Sequence, residues 1–392
     1  MPGSTQRVMQ AFAHQAPDRT PLFEIFQPCH PVHWDICGRN IATDMALQWD
    51  AYADGVAHQE LVDAKAKAVF AISKFFGLDM VHFPGDPPAR LGELRKTGPT
   101  AWRLNGVDYV LDARTKLIVL ANPGEADADS HRLSEDDLRR QVEQWDGTVK
   151  PLPKSEFAVY RQVQRLAAAE GLDWVYMGEV GGGTGVAFFP PFMLMWFVCE
   201  PELLHRWVAM QSAHAMPLMR RYVELGAAVI AIGGDVSCDK GPFCSPAHYR
   251  EFVLPAIQEQ VSCIHAAGGK VVYTSDGNHW PIRDDFFFNS GIDGYKEVDF
   301  AAGMTLERLI AEGVKDRVCL IGNVDARHTM CQGTCGEVRA HVRRCLELGR
   351  QTPGGHILHL SHSVHEDVQV ENYHAMIGAY REFFGLEPLP RR

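Results

Sequence analysis

The chain has 392 residues, of which 46% are hydrophobic and 22% are charged, and this composition excludes global disorder and a fibrous repeat. Its formal net charge of −11 argues against binding to nucleic acid or to an anionic membrane, because such proteins present clustered cations. No apolar leader is evident and no apolar run reaches the roughly 18 residues that cross a membrane. We therefore expect a cytoplasmic protein with no nucleic-acid or membrane partner.

Short apolar runs alternate with longer amphipathic runs along most of the chain. The predicted elements, in chain order, are strand 20–26, helix 55–76, strand 79–83, helices 134–145 and 154–170, strand 173–177, helix 201–225, strand 228–232, helix 246–267, strand 270–273, helix 282–289, strand 294–298, helix 305–312, strand 318–321, helix 336–350, strand 356–360 and helix 370–384.

One segment interrupts this alternation. Residues 90–120 carry an Asn105-Gly106 turn signal, which predicts a β-hairpin insertion. Elsewhere, strands that alternate with helices pair in parallel. Eight such units predict a (β/α)8 TIM barrel that forms a single domain over residues 1–392, with an N-terminal elaboration.

Polar residues follow the ends of most predicted strands, where a (β/α)8 barrel carries its catalytic groups. Helix capping and turn formation account for any one of these residues, but neither role calls for Glu297 or His362. We therefore take the set as a candidate site. Its members are Glu179, Asp235, Asp276, Asn278, Glu297, Asn323 and His362.

Aromatic residues near the predicted loops are candidates for the wall of a substrate pocket, and ordinary core packing is the alternative. Phe188 and Phe189 lie between a glycine run and Pro190-Pro191, so we expect them to line the mouth. The aromatic candidates are Phe26, Trp34, Phe188, Phe189, Tyr273 and Tyr295.

Several segments resemble the uroporphyrinogen decarboxylase superfamily. The segments are TQRVMQAFAHQAPDRTPLFE near the start, DVSCDKGPFCSPAHYREFVLP at 235–255, SDGN at 275–278, GNVD at 322–325 and SHSVHEDVQVENYHAM near the end. The resemblance implies a (β/α)8 barrel with its site in the cleft at the strand ends.

Two motifs of the superfamily are altered in this chain, and the alterations indicate which of its members the chain resembles. True uroporphyrinogen decarboxylases carry an Arg-Gln-Ala-Gly-Arg motif after the first strand, whereas EIFQPCHPVHWD here supplies no arginine before Arg39 to bind a tetra-acid substrate. The thiol-activating methyltransferases carry a His-x-Cys-Gly-Asn motif. In this chain Thr274 stands in place of that histidine and Asp276 in place of that cysteine, and His362 stands near the position of their second cysteine. The chain thus resembles the corrinoid-dependent methyltransferases that act on the methyl donor.

That resemblance implies an O-demethylase component. It would move a methyl group from a small methylated substrate, such as a methoxylated aromatic, to the cobalt of a corrinoid (cobalamin) supplied by a partner protein. Asp276, Glu297 and His362 would protonate the leaving oxygen, or would bind a metal such as zinc that polarises it. Glu179, Asp235, Asn278 and Asn323 would orient the substrate.

Two other functions stay open at this point. A metal-free decarboxylase of a small or tetrapyrrole acid would need a cation in the cleft, for which Lys296, Arg39 and Arg283 are the candidates. A non-enzymatic tetrapyrrole or corrinoid carrier is the third alternative, although the chain lacks the Asp-x-His-x-x-Gly motif of corrinoid-binding domains. The methyl donor, the presence of a metal and the formation of a homodimer are left open as well.

Overall fold

A computed structural model describes residues 3–122, 134–149, 152, 157–181 and 192–390. Eight parallel strands form one sheet in which each strand pairs with the next along the chain. The strands, named β1 to β8 in chain order, are Phe23–Glu24, Met80–His82, Val175–Gly181, Val229–Gly233, Lys270–Thr274, Gly294–Lys296, Cys319–Ile321 and His356–Ile357.

The sheet closes on itself between its first and last strands. Leu22, just before β1, bridges in parallel to Leu358, just after β8. The backbone N–H of Phe23 donates to the carbonyl of Leu358 at 3.1 Å, and that of Val364 donates to the carbonyl of Ile25 at 2.7 Å. These bonds complete the barrel and confirm the predicted (β/α)8 fold.

Helices surround the barrel and cover its floor. In the described part of the chain the helices are Ser4–Phe12, Trp34–Cys37, Met45–Ala53, His58–Phe76, Glu135–Gln144, Ala158–Ala169, Phe192–Cys199, Pro201–Glu224, Pro246–His248, Leu254–Ala266, Leu306–Ala311, Cys335–Gly349 and Val370–Phe383. Two of them begin at capping boxes, Ser134 with Asp137 and Thr334 with Glu337, in which each side chain bonds the other's backbone N–H. None of them is long and apolar enough to cross a membrane.

The hydrophobic core has two layers because alternate strand residues face opposite sides of the barrel wall. The inner layer fills the barrel with Met80, Met177 and Val272, among others, and Phe12 of the first helix closes it from below. The outer layer lies between the barrel and the surrounding helices.

A buried carboxylate ties the first helix to the barrel floor. Asp79, one residue before β2, accepts hydrogen bonds from Arg7 at 2.5 Å, from Arg19 at 2.7 Å and from the backbone N–H of Leu22 at 3.0 Å. Arg7 also binds Asp18 at 2.7 Å, so the charges in this buried network are paired.

The insertion after β2 is larger than the single hairpin predicted from the turn signal. It forms a four-stranded antiparallel sheet of Leu94–Gly98, Ala101–Leu104, Val107–Leu111 and Ile118–Leu120. The Asn105-Gly106 turn is confirmed, with both residues at positive φ as a two-residue hairpin requires. The first strand, Leu94–Gly98, escaped prediction because its charged residues, Arg95 and Lys96, do not show a buried face.

Three other predicted elements differ from the structure. Strand β3 runs to Gly181, so Glu179 lies within the strand rather than after it. The predicted helix 282–289 is a 3₁₀ turn, Trp280–Ile282, followed by a π-helical segment, Asp284–Asn289. A second π-helical segment, Tyr249–Val253, interrupts the predicted helix 246–267.

Candidate active site

Three side chains from different strand ends converge at the carboxyl-terminal mouth of the barrel. Nδ1 of His362 lies 3.8 Å from Oδ2 of Asp276, and Nε2 of His362 lies 4.0 Å from Oδ2 of Asp299. One ligand atom from each of the three lies within 4.8 Å of the others. We call Asp276, Asp299 and His362 the mouth triad.

Asp299 is the most buried member of the mouth triad and is held rigidly on one side. Its carboxylate is fully buried, and its Oδ1 accepts hydrogen bonds from the backbone N–H groups of Ala301 and Ala302 at 3.0 and 3.2 Å. Its Oδ2 has no hydrogen-bond partner among the described residues. A buried carboxylate oxygen without a partner is costly, so this atom is suited to bind a proton donor or a cation.

Glu297, which the sequence predicted in the position of Asp299, does not join the mouth triad. Strand β6 ends at Lys296, and Glu297 adopts a left-handed backbone with φ of 68°. Its carboxylate binds the ammonium group of Lys296 at 2.9 Å. This change of backbone direction places Asp299, two residues later, beside His362.

Asp276 is surrounded by other acids. Burial, together with the charges of Asp235, Asp299 and Glu297, raises the pKa of Asp276 to about 6, although His362 opposes the shift. Burial and the Glu297 charge also raise the pKa of Asp235. The mouth therefore contains a carboxyl group that can hold a proton close to neutral pH.

Glu179, on the other side of the mouth, is kept in its ionised form. Its burial favours the neutral form, but a hydrogen bond from His82 and the charges of Lys296, His82 and His359 outweigh burial and lower the pKa of Glu179 to about 2. Its carboxylate lies 3.2 Å from Nε2 of His82. Glu179 is therefore an ionised group that pairs with His82.

The two predicted asparagines hold loops in place. Asn323 is buried and donates hydrogen bonds to the carbonyls of Val298 and Met304 at 2.7 and 3.1 Å, which fixes the loop that carries Asp299. Asn278 accepts a hydrogen bond from the backbone N–H of Trp280 at 3.1 Å and so caps the following turn. Asn323 is thus placed to position the mouth triad rather than to touch a ligand.

The aromatic candidates fall into three groups. Tyr273 and Tyr295 are buried in the outer core layer, because strand alternation turns them toward the helices and away from the mouth. Trp34 donates from Nε1 to the carbonyl of Thr43 at 2.6 Å, and Phe26 lines a cavity beside β1. The predicted wall residues Phe188 and Phe189 lie outside the described residues.

His362 is the member of the mouth triad that lines a cavity of about 480 Å³, together with residues that include Arg327, Cys331 and His365. Arg327 binds Asp239 through two hydrogen bonds of 2.8 and 3.2 Å and lies 3.6 Å from Asp299. The sequence offered no signal for Arg327, which lies in a π-helical segment, Ala326–Met330, rather than at a strand end. A cavity of this size admits a small organic molecule beside the mouth triad.

The donor set of the mouth triad fits a divalent metal. Two carboxylates and one imidazole are ligands that zinc accepts, and a catalytic zinc site commonly keeps a fourth position open for water or substrate. Oδ2 of Asp299, which has no hydrogen-bond partner among the described residues and lies 3.6 Å from Arg327, is consistent with this use. The same set also suits general acid chemistry, because the pKa of Asp276, raised to about 6, allows it to exchange a proton close to neutral pH.

A closed (β/α)8 barrel whose acids and histidine converge at the carboxyl ends of its strands is the architecture of a barrel enzyme. The chain belongs to the uroporphyrinogen decarboxylase (URO-D) family, which matches residues 175–383. The mouth triad lies within this matched range.

Curated relatives are uroporphyrinogen decarboxylases. The protein from Chlorobium luteolum is 28% identical over 276 residues, which cover 68% of this chain and 73% of the relative. The protein from Psychromonas ingrahamii is 26% identical over 259 residues, which cover 60% of this chain and 67% of the relative. Both are distant relatives.

A solved structure is similar along nearly the whole chain. It is a methyltransferase from Methanosarcina mazei, with a TM-score of 0.63 and 20% sequence identity, and the match covers 97% of this chain and 99% of that protein. At this identity the similarity shows a shared fold.

Proposed function

We propose that the protein is a methyltransferase that moves a methyl group from a small methylated substrate, such as a methoxylated aromatic, to the cobalt of a corrinoid carried by a partner protein. The observation that carries the proposal is the mouth triad, in which an oxygen-and-nitrogen donor set converges beside a cavity. The structural similarity to a protein described as a methyltransferase supports the same reaction class.

The chemistry requires help at the leaving oxygen. Breaking the bond between a methyl carbon and an ether oxygen releases an alkoxide or phenoxide, which leaves poorly unless it is protonated or bound to a Lewis acid. Zinc held by Asp276, Asp299 and His362 would supply that Lewis acid. Without a metal, protonated Asp276 would donate its proton to the oxygen while His362 and Asp299 held the substrate beside it.

The geometry of methyl transfer also limits how substrates approach. Displacement at a methyl carbon is in line, so the acceptor must reach the carbon from the side opposite the leaving oxygen. The mouth triad lies at the open, carboxyl-terminal end of the barrel. A substrate whose oxygen points down to the triad would present its methyl group outward, toward the acceptor.

Decarboxylation is the second candidate, because the curated relatives carry that name and Lys296 is a buried cation at the end of β6. Lys296, however, already binds Glu297. The other two candidate cations are paired as well, Arg39 with Asp44 and Arg283 with Asp284 and Glu312. A substrate carboxylate would have to displace an ion pair, which favours methyl transfer.

Methyl transfer to free cob(I)alamin from a panel of methoxylated aromatics tests the proposal. We expect the wild-type protein to methylate cobalt and each of Asp276→Asn, Asp299→Asn and His362→Ala to lower kcat by a factor of about 100 or more. Asp284→Asn is the matched control, because its carboxylate is exposed and pairs only with Arg283 among the described residues. This variant should keep wild-type activity.

Two results would overturn the proposal. One is triad variants that transfer methyl groups at the wild-type rate. The other is release of CO2 from a carboxylic acid substrate in the absence of any corrinoid, which would establish the decarboxylase instead.

A further inference from the structure

A second cavity lies beside the first two strands of the barrel. It has a volume of about 430 Å³ and lies between the ends of β1 and β2 and the helix His58–Phe76. We call it the β1–β2 cavity. No member of the mouth triad lines it.

The walls of the β1–β2 cavity are mostly apolar. Phe26 and Phe83 contribute aromatic surface, and Val69 and Ile72 contribute aliphatic surface from one face of the helix. A volume of this size with apolar walls and a few polar groups is typical of a site for a small organic ligand.

Lys65 supplies a positive charge to this apolar wall. The side chain lines the cavity and forms no ion pair among the described residues. Burial lowers the pKa of Lys65, while Asp86 and Cys29 are the nearby groups that favour its charged form. A partly buried ammonium without an ion-pair partner is stabilised by an anion that enters the cavity.

Two of the residues that line the β1–β2 cavity each carry a buried polar atom without a hydrogen-bond partner among the described residues. Oε2 of Glu24 and Nε2 of His33 are buried and have no hydrogen-bond partner among the described residues. Oε2 of Glu24 lies 3.9 Å from Nε2 of His359, which is too long for a hydrogen bond. Buried atoms of this kind are normally satisfied, so these two polar groups lie beside the cavity without a partner from the described residues.

The charges of the other lining groups set the charge of that ligand. Burial raises the pKa of Glu24 well above its usual value, which favours its neutral form, and burial lowers the pKa of His33 to about 3, so His33 is neutral near pH 7. His82 is already bound to Glu179. Lys65 is therefore the single cation offered to a ligand by the residues that line the cavity.

We propose that the β1–β2 cavity binds a small aromatic carboxylate. The carboxylate lies on Lys65, and the ring lies against the wall that contains Phe26 and Phe83. A neutral aromatic would leave the ammonium uncompensated, and a dianion would bring a second charge without a partner into an apolar wall. This site is separate from the mouth triad, so the inference goes beyond the proposed methyl transfer.

Isothermal titration calorimetry with benzoate tests the proposal, and benzamide is the neutral probe of the same shape. We expect benzoate to bind the wild-type protein with a Kd of about 1 mM or tighter, and benzamide to bind at least ~10-fold more weakly. Lys65→Met should weaken benzoate binding at least ~10-fold and should leave benzamide binding unchanged.

The matched control is Lys67→Met. Lys67 lies on the same helix, is exposed and does not line the cavity, so its replacement removes the same charge without touching the site. Its affinity for benzoate should equal that of the wild-type protein. Val69→Phe is a second, independent variant, which fills the cavity while keeping Lys65 and should also weaken benzoate binding.

The proposal is overturned if benzoate fails to bind the folded wild-type protein, or if folded Lys65→Met binds benzoate as tightly as Lys67→Met does. Circular dichroism establishes that each variant is folded, and Val69→Phe provides the test if Lys65→Met is not. Because the titration uses neither a corrinoid nor turnover, its failure is distinguishable from failure of the proposed methyl transfer.

Discussion

Nε2 of His362 faces Oδ2 of Asp299 at 4.0 Å across the barrel mouth, and no hydrogen bond joins them. The other nitrogen of the same ring faces Asp276 at 3.8 Å. The imidazole therefore lies between two carboxylates, each close enough to share a ligand with it. Three donor groups spaced in this way can bind one further atom between them.

Zinc binding is the first prediction. We expect purified protein loaded with zinc and dialysed to retain about one ion per chain, and Asp299→Asn and His362→Ala each to lose it, because either change removes one of three ligands. Elemental analysis measures the ratio. His365→Ala is the control, since His365 lines the neighbouring cavity but lies outside the mouth triad.

Retention of zinc in Asp299→Asn and His362→Ala would place the metal elsewhere. Absence of zinc from the wild-type protein would leave Asp276 as the proton donor to the leaving oxygen.

Asp276 should reduce the stability of the metal-free protein at neutral pH. Its pKa is about 6 in the folded chain and near 3.8 when unfolded, so the folded state holds the proton more tightly and its stability falls as pH rises from about 4 to about 6. In the presence of a chelator, Asp276→Asn should raise the free energy of unfolding at pH 7.5 by ~1 kcal/mol, after allowance for a side chain that is one third exposed.

Urea unfolding of both proteins at pH 4 and pH 7.5 measures this difference. The gain should be much smaller at pH 4, where the carboxyl group is protonated more fully in both states. Equal stabilities at pH 7.5 would contradict the raised pKa.

Buried His279 should make the protein sensitive to acid. Burial lowers the pKa of His279 to about 4, so only the unfolded state takes up its proton as pH falls from about 6.5 to about 4, and stability falls over that range. The contribution of this one residue is ~3 kcal/mol. His279→Gln should flatten the dependence of the free energy of unfolding on pH.

Unfolding experiments between pH 4 and pH 7 test this expectation. Other buried histidines, including His356 and His359, have similarly lowered pKa values, so part of the slope should persist in the variant. A variant whose slope matches that of the wild-type protein would argue against the neutral state of His279.

The carboxylate on the barrel floor should matter more for stability than for activity. Asp79→Asn leaves the buried guanidinium of Arg7 with one carboxylate partner fewer and should cost ~3 kcal/mol. Asp18→Asn, at the more exposed end of the same network, should cost ~1 kcal/mol. Chemical unfolding compares the stabilities of the two variants. Equal losses of stability would show that the burial of Asp79 does not make its contribution larger than that of Asp18.

The order of strands and helices could be predicted from hydrophobic periodicity, because each element buries one face for several turns or residues. Which residues of a barrel strand face inward and which face the helices could not be predicted, because a strand that is buried on both sides is apolar throughout. Tyr273 and Tyr295 were therefore predicted at the mouth although they face the helices.

The candidate site could likewise be predicted only in part. Asp276 and His362 follow strands whose ends could be recognised in the sequence. Asp299 was missed because the left-handed backbone at Glu297 ends β6 early, and a single residue's φ leaves no periodic signal. The β1–β2 cavity was missed because the irregular segment after β1 forms the unpredicted helices Trp34–Cys37 and Met45–Ala53.

The mouth triad and the β1–β2 cavity are encoded in different halves of the chain. The triad lies within residues 175–383, the range that the family matches, whereas the residues that line the cavity lie between Glu24 and Gly85. The two halves meet through the closed sheet and through side-chain contacts such as that of Phe26 with Tyr373, but no residue belongs to both sites, so selection can change one site without replacing the side chains of the other. Ligand choice could then diversify among relatives while the reactive groups stayed the same, and exchanging the first two barrel units between relatives would transfer ligand preference.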